Sequence, residues 1–127
     1  MHPGTQIGSV FQLISRDPAR MRATYRYMVN GHEVSCGRLD MEWISAVVRS
    51  MSLSMASSTM RGLETVSLSV TALQPILVGT AMLVECQLLQ QARTLNAQVV
   101  IRNASLPHVV FATGTHIMAF RGTAARL

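Results

Sequence analysis

One stretch of sequence, residues 65–80, most constrains how this chain can fold. It is an apolar segment rich in valine and threonine that ends at Pro75, turns through Gly79 and at once begins a second apolar segment. Valine and threonine favour strands, and a proline followed closely by a glycine is typical of a turn. The pattern therefore predicts two consecutive strands with a short connection, as in an antiparallel sheet.

Strand patterns continue to the C-terminal end of the sequence. Four strands are predicted, at about 65–73, 80–90, 94–102 and 108–119. The joins between them are short enough for antiparallel neighbours. An earlier strand is predicted over 22–29, where β-branched and aromatic residues alternate, and the Asn30-Gly31 turn signal follows it.

Before the four strands, the hydrophobic period changes from two to nearly four. Apolar residues recur at Ile44, Val47, Val48, Met51 and Met55. This spacing predicts an amphipathic helix that begins at Asp40, a good N-cap residue, and ends near Ser57. A helix followed by a strand meander is an α+β pattern, and 127 residues form a single domain, 1–127.

The first 21 residues are predicted to form an N-terminal helix or extension. Apolar residues at 7, 10, 11 and 14 share one helix face, and Pro18 should end the helix. Because the segment carries arginines and almost no acids, a targeting peptide is an alternative. The cytoplasm and the mitochondrial matrix are therefore both expected compartments. Residues 121–127 are predicted to be a frayed tail.

Charge and cysteine content narrow the function classes. All eleven basic residues are arginines and the net charge is +5, which favours a partner with several phosphates. The arginines are scattered and aromatic residues are few, so nucleic-acid binding is not favoured.

Cys36 and Cys86 form neither a CxxC pair nor a Cys/His cluster, so two reduced thiols and no metal site are predicted. The longest apolar runs are far shorter than the ~20 residues of a membrane-spanning helix.

Three strand motifs carry a family resemblance. The chain reads TVSLSVTALQP with a following glycine at 65–79, ARTL at 92–95 and ATGT at 112–115. The sequence thereby resembles the hotdog-fold acyl-coenzyme A thioesterases of the phenylacetate-pathway type, whose patterns are TVxLxVxFLxP…G, GRxL and AxGT. The likeness covers roughly residues 40 to 120. It implies a hotdog domain, in which a sheet of about five antiparallel strands wraps the long helix.

The resemblance also implies a catalytic site at the helix. In the family a His-Gly-Gly turn opens the helix and polarises the thioester carbonyl through its backbone N–H groups. An acidic residue about two turns later acts as nucleophile or base. In this chain the turn falls on residues 40–42, and the acidic position falls on or beside Arg49, which cannot act as a base.

Other residues could supply the missing chemistry. The acidic candidates are Asp40 and Glu42, and His32 has a suitable intrinsic pKa for a base. Thr65 matches the position where the family sets a Ser or Thr that faces the catalytic acid. Each of these residues also has a structural interpretation without a catalytic role. Asp40 would be an N-cap and Glu42 a solvated carboxylate in the first turn of the helix. His32 would be an ordinary turn residue and Thr65 a β-branched strand residue.

The family's coenzyme A contacts lie mainly in the segments that join strands. Transferred by motif, they are Gly79, Gln91, Arg93, Thr94 and His116. Arg93 is the best phosphate ligand, because a guanidinium pairs well with phosphate oxygens; the alternative is an exposed turn residue. Ala92 stands where the family has a glycine, which puts this contact in doubt. Coenzyme A would enter as part of the substrate, so no separate cofactor is expected.

Two functions of different classes follow. The first is an acyl-CoA thioesterase that works as a homodimer or a dimer of dimers. The second is a catalytically inactive hotdog domain that acts as an acyl-thioester binder or as a structural subunit of an assembly. Hydration or dehydration of acyl thioesters is disfavoured, because no histidine lies in the predicted helix. Thiol release from acyl-CoA esters distinguishes the first two.

Overall fold

The computed structural model describes residues 11–29, 34–35, 38–39, 41–57 and 63–120. Its elements are β1 (Gln12–Asp17), β2 (Arg22–Met28), β3 (Val34–Ser35), β4 (Arg38–Leu39), α1 (Met41–Ser57), β5 (Leu63–Ala72), β6 (Ala81–Gln91), β7 (Thr94–Asn103) and β8 (Val110–Phe120). Six strands form one antiparallel sheet in the order β1-β2-β6-β7-β8-β5, while β3 and β4 pair with each other.

The predicted α+β class is confirmed, since one long helix packs on one antiparallel sheet. The helix and the five predicted strands lie within two residues of their expected bounds. The sheet has six strands because β1 adds to it. The predicted N-cap Asp40 and the Asn30-Gly31 turn lie outside the described residues. Within the described part of the chain, no helix is long and apolar enough to span a membrane.

The N-terminal helix prediction is wrong in the part that the structure describes. Residues 12–17 form β1, which pairs with β2 and places Leu13 opposite Tyr25. This pairing supplies hydrogen-bond partners along the edge of β2, whereas a short isolated helix is marginal in water. Pro18 does end the element. It begins a 3-10 turn in which Asp17 Oδ1 accepts a hydrogen bond from Arg20 N at 3.3 Å.

The apolar face of α1 packs on the inner face of the sheet. Ile44, Val47, Val48 and Met51 are buried, and Met55 is partly buried against the same core. The facing strands contribute a buried side chain at every second position. In β6 and β7 these are Met82, Val84, Cys86, Leu88, Leu95, Ala97, Val99 and Ile101. Burial raises the pKa of the Cys86 thiol to about 12, so it stays protonated, as predicted for a reduced core thiol.

A glycine in β8 allows α1 to approach the sheet closely. A Cβ atom added at Gly114 would lie 2.7 Å from Val48 Cγ1 and 2.8 Å from Val48 Cγ2. Both distances are far shorter than the contact of about 3.5–4.0 Å that two carbon atoms prefer. The glycine of the ATGT motif therefore sets how deeply the helix sits, and it places the next turn of α1 against His116.

Candidate active site

A β-bulge in β5 decides which way Thr65 points. Thr65 lies opposite Met118 of β8, and Ser67 lies opposite Ile117, so Val66 is an extra residue in the pairing. Side chains alternate along a regular strand, and without the bulge Thr65 and Ser67 would share the face away from α1. The bulge turns Thr65 to the helix side instead, which is a known use of bulges near functional sites.

His116 is the polar side chain next to Thr65 on the inner face. It lies in β8 between Ala97 and Leu68 of the flanking strands, and it is 0% exposed. Its Nε2 atom is 2.7 Å from Thr65 Oγ1. Its Nδ1 atom is 2.5 Å from Ser52 Oγ of α1. Both ring nitrogens therefore have partners although the ring lies in an apolar layer.

The contacts of Ser52 indicate which nitrogen of His116 carries the proton. Ser52 Oγ donates to the backbone carbonyls of Val48 at 2.8 Å and Arg49 at 3.0 Å. A hydroxyl has one proton, and carbonyls only accept, so Ser52 Oγ accepts the hydrogen bond from His116 Nδ1–H. Nε2 then carries the lone pair and accepts from the hydroxyl of Thr65.

The surroundings of His116 keep its ring neutral. Burial lowers the pKa of His116 below its ordinary value, and the positive charge of Arg49 lowers this pKa further. Thr65 is exposed at the sheet edge, whereas His116 and Ser52 are fully buried. Thr65, His116 and Ser52 thus join the hydroxyl of an exposed residue, a neutral imidazole and a third group that orients the imidazole, which is the geometry of an activated nucleophile.

The candidate catalytic residues of the helix lie at different distances from the trio of Thr65, His116 and Ser52. Arg49 is exposed and lies three residues, almost one turn, before Ser52. Glu42 lies in the first turn of α1, ten residues before Ser52, which is about 15 Å along the axis. The structure therefore brings Arg49 near His116 and leaves Glu42 remote. Asp40 and His32 lie outside the described residues, and their proposed roles stay predictions.

Three of the predicted coenzyme A ligands lie at the β6–β7 hairpin. Gln91 pairs with Thr94 across a two-residue turn, and Ala92 in that turn has φ 51°. The left-handed backbone, which a glycine adopts without strain, forms here with alanine. Thr94 Oγ1 donates to the Gln91 carbonyl at 3.0 Å, and Arg93 is exposed. The turn thus presents a guanidinium to solvent.

Gly79 lies at the other end of β6. It has φ 87°, and its N–H donates to the carbonyl of Val29 at 3.0 Å, which ties the join to the end of β2. The eleven residues of β6 separate Gly79 from the hairpin by roughly 35 Å. His116 is not on the surface either, because it contacts Thr65 and Ser52 in the interior. The predicted coenzyme A ligands therefore do not form one cluster.

Ser52 is a site residue that sequence reasoning missed. On a helical wheel it lies on the polar stripe beside the apolar face, together with Glu42 and Arg49, and it was not chosen as a candidate. Among the described residues, the buried polar side chains are Ser52 and His116. The place of Ser52 at the border of the apolar face was the available signal, but its partner lies 64 residues further along the chain.

A groove on the opposite face of the sheet does not include this trio. It has a volume of about 350 Å³, and its lining includes Arg22, Thr24, Gln87 and Arg102. Arg102 Nε donates to Glu85 Oε1 at 2.9 Å, which neutralises one of the two arginines. No group of three His, Cys, Asp or Glu side chains suited to a metal ion occurs in the described ranges.

Solved structures identify the fold. A Streptococcus mutans protein crystallised with bound acetyl CoA has a TM-score of 0.77 at 18% identity, and the match covers 88% of this chain and 89% of that one. Zebra fish thioesterase superfamily member 2 has a TM-score of 0.79 at 18% identity, with 91% and 84% covered. The chain has the hotdog fold. No protein-family model and no curated protein matches the sequence.

The hotdog domain is also similar to the E. coli PaaI protein from the phenylacetic acid degradation operon. That match has a TM-score of 0.76 at 13% identity and covers 92% of this chain and 86% of PaaI. The family resemblance seen in the strand motifs is thus confirmed at the level of the fold. Which reaction the hotdog domain carries out depends on its own residues, because one fold hosts many functions.

Proposed function

We propose that this hotdog domain binds acyl-coenzyme A thioesters and hydrolyses them beside Thr65 and His116. The observation that carries the proposal is the 2.7 Å contact between Thr65 Oγ1 and His116 Nε2. It joins the hydroxyl of an exposed residue to a buried neutral imidazole, and it lies where the sequence resemblance places the residue that faces the family's catalytic acid. Hydrolysis of a thioester needs an activated oxygen nucleophile, which this pair can supply.

Binding of the coenzyme A moiety is supported by the charge of the chain. The net charge is +5, and the exposed Arg93 lies at the β6–β7 turn. A guanidinium at a turn can form paired hydrogen bonds with phosphate oxygens. The Streptococcus mutans neighbour was crystallised with acetyl CoA, so a hotdog domain of similar length accommodates this class of ligand.

A homodimer formed through β5 is part of the proposal. β5 is an edge strand of ten residues in the described sheet, and Val66 on it is 61% exposed. A long exposed edge with unpaired backbone groups favours pairing with a second copy. Such pairing would place Thr65 close to the dimer junction. Light scattering tests it, and a concentration-independent mass of a single chain would contradict it.

One observation favours the alternative function, a hotdog domain that binds acyl thioesters without hydrolysing them. Arg49 occupies or adjoins the position that the family resemblance assigns to the catalytic acid, and a guanidinium is neither base nor nucleophile at neutral pH. Under this alternative, the domain binds acyl-CoA and releases no thiol. The Thr65–His116 contact would then serve only to hold β5 against β8 and α1.

Thiol release from acetyl-, butyryl-, octanoyl- and phenylacetyl-coenzyme A tests the proposed function. We expect the wild type to turn over at least one ester. Thr71→Val should keep this activity, because Thr71 lies in β5 on the face away from α1. Calorimetry with coenzyme A measures binding separately. Binding without thiol release would establish the binder, and the absence of both would overturn the proposal.

A further inference from the structure

The contacts of Thr65 point to a specific catalytic route. We infer that Thr65 Oγ1 is a covalent nucleophile that takes the acyl group from the thioester, that His116 Nε2 is its general base, and that Ser52 positions the base. The inference rests on the proposed function and adds an acyl-threonine intermediate to it. It replaces the carboxylate expected from the family resemblance with a hydroxyl and an imidazole.

Accessibility selects Thr65 over Ser52 as the nucleophile. Ser52 is 0% exposed, and its hydroxyl proton is directed at the carbonyls of Val48 and Arg49. Its oxygen therefore can neither reach a substrate nor pass its proton to His116. Thr65 is an exposed residue of the edge strand of the described sheet, so of the two hydroxyls its own is the one that a thioester bound at the junction of the proposed dimer can reach.

The position of the ring argues against direct activation of water by His116. The ring is fully buried, and its Nε2 atom is already 2.7 Å from Thr65 Oγ1. A general base must lie within hydrogen-bond reach of the proton that it removes. The proton in reach of Nε2 is that of the Thr65 hydroxyl, so the threonine is the group that His116 activates first.

The acylation step balances without another reactant. Thr65 Oγ1 forms a bond to the thioester carbonyl carbon while its proton passes to His116 Nε2. The tetrahedral intermediate then collapses, its C–S bond breaks, and the proton on Nε2 passes to the departing sulfur. The products are the free thiol of coenzyme A and an ester between the acyl group and Thr65. His116 returns to its neutral state.

Deacylation repeats the sequence with water. After the thiol has left, a water molecule takes its place beside the ester, where Nε2 is no longer hydrogen bonded to a threonine hydroxyl. Water oxygen bonds to the acyl carbon and gives one proton to Nε2. The bond between that carbon and Thr65 Oγ1 then breaks, and the oxygen recovers the proton from Nε2. The acyl group leaves as a carboxylic acid.

An activated ester tests the nucleophile without requiring a coenzyme A site. The full chain is incubated with p-nitrophenyl acetate and quenched, and its peptides are analysed by mass spectrometry. We expect an acetyl group on Thr65 in the wild type and in Thr71→Val, and none at position 65 in Thr65→Val. Thr65→Ser, which keeps a hydroxyl, should still be acetylated. Acetylation elsewhere with Thr65 unmodified would overturn the inference.

Acetyl-coenzyme A separates this inference from the proposed function. We expect Thr65→Val to lose thiol release by ~100-fold or more per folded molecule, while its coenzyme A affinity matches that of Thr71→Val. Hydrolysis that survives Thr65→Val would overturn the nucleophile and leave the proposed function in place. Acetylated Thr65 with no thiol release from any of the four esters would keep the nucleophile and overturn the proposed hydrolysis. If neither occurs, both are wrong.

The role of Ser52 as a positioning residue has its own readout. Ser52→Ala removes the acceptor of His116 Nδ1–H, so the proton should redistribute to Nε2, where it blocks acceptance from Thr65. We expect kcat to fall by ~10-fold with KM unchanged. The ¹⁵N chemical shifts of the imidazole should report the tautomer change. An unchanged tautomer with reduced stability would mean that Ser52 is purely structural.

Discussion

Two contacts between α1 and β8 lie one helical turn apart and work by different physical means. At the first, the side chain of Val48 packs directly on the backbone of Gly114. At the second, Ser52 Oγ meets His116 Nδ1 at 2.5 Å, and the ring continues to Thr65. Shape alone holds the first contact, whereas hydrogen bonds hold the second.

The difference shows how a small domain can place polar chemistry inside its core. The Val48–Gly114 contact brings the helix close, and close approach is what allows a short serine side chain to reach the histidine ring. A buried polar group without partners would cost several kcal/mol, but Ser52 and His116 satisfy each other and the backbone. Variants at the two contacts should therefore fail in different ways.

Replacing the histidine should have the largest effect and should act on chemistry. His116→Gln removes the general base, so we expect acyl-CoA turnover to fall by ~100-fold or more. The rate is measured per folded molecule, with Thr71→Val as the control variant. A rate per folded molecule equal to that of Thr71→Val would mean that His116 matters only for folding.

Filling the space at Gly114 should act on stability. In Gly114→Ala the new methyl group meets Val48, and overpacking of this kind typically costs about 1–3 kcal/mol. Urea unfolding measures the change. Val48→Ala in the same chain should relieve the clash, so the double variant should be more stable than the sum of the single effects predicts. Strict additivity would show that the sheet adjusts by another route.

Of the two contacts, only the second, between Ser52 and His116, should weaken on acidification. The pKa of His116 is lowered in the folded chain, so below the ordinary histidine value of about 6.5 the unfolded chain binds a proton that the folded chain does not. The stability is fully present above about pH 6.5 and declines towards the folded-state pKa, by at most about 1.4 kcal/mol per pH unit.

Comparison with a variant isolates this pH dependence from that of other groups. Unfolding free energies of the wild type and His116→Gln are measured from about pH 7.5 to about pH 5. The variant should lack the slope contributed by position 116, whereas Thr71→Val, on the outer face of β5, should retain it. Identical slopes in the wild type and His116→Gln would show that the ring is not held neutral by the fold.

The smallest effect is expected away from both contacts, at the β6–β7 turn. Ala92 has φ 51°, a conformation that an alanine adopts at a cost and a glycine without one. Ala92→Gly should therefore raise stability by about 0.5–1 kcal/mol, since the gain exceeds the added chain entropy. Thermal melting measures it. Activity and pH slope should not change; a lower melting temperature would contradict the expectation.

Local patterns in the sequence were sufficient for most of the elements. The helix was predicted because Ile44, Val47, Val48 and Met51 repeat at the helical period, and all four are buried on α1. The strands were predicted from alternation and from turn residues such as Gly79, which has the positive φ that favours glycine. Each of these signals acts over a few residues, so it can be read without knowledge of the fold.

β1 was not predictable in the same way. Its residues have no strong alternation, and the spacing of apolar residues suggested a helix. The strand forms because the edge of β2 offers a row of backbone partners, and β2 is itself held by its pairing with β6. Here tertiary pairing overrides a weak local preference.

The candidate site depended most on tertiary structure. Thr65 and His116 were singled out by motif, with separate roles and no expectation of contact, and Ser52 was missed. The three residues come from β5, β8 and α1, and separations of 51 and 64 residues divide the contacting pairs. Their meeting requires the register of β5 on β8 and the extra residue Val66, which reverses the face of Thr65.

The sequence by itself determined the elements and their order, because hydrophobic period and turn residues act locally. Tertiary structure decided which polar side chains meet, since a bulge or a one-residue change of register sends a side chain to the opposite face of a sheet. It also decided the state of His116. The ring is neutral because neighbours from three elements bury it, and no local pattern around position 116 contains that information.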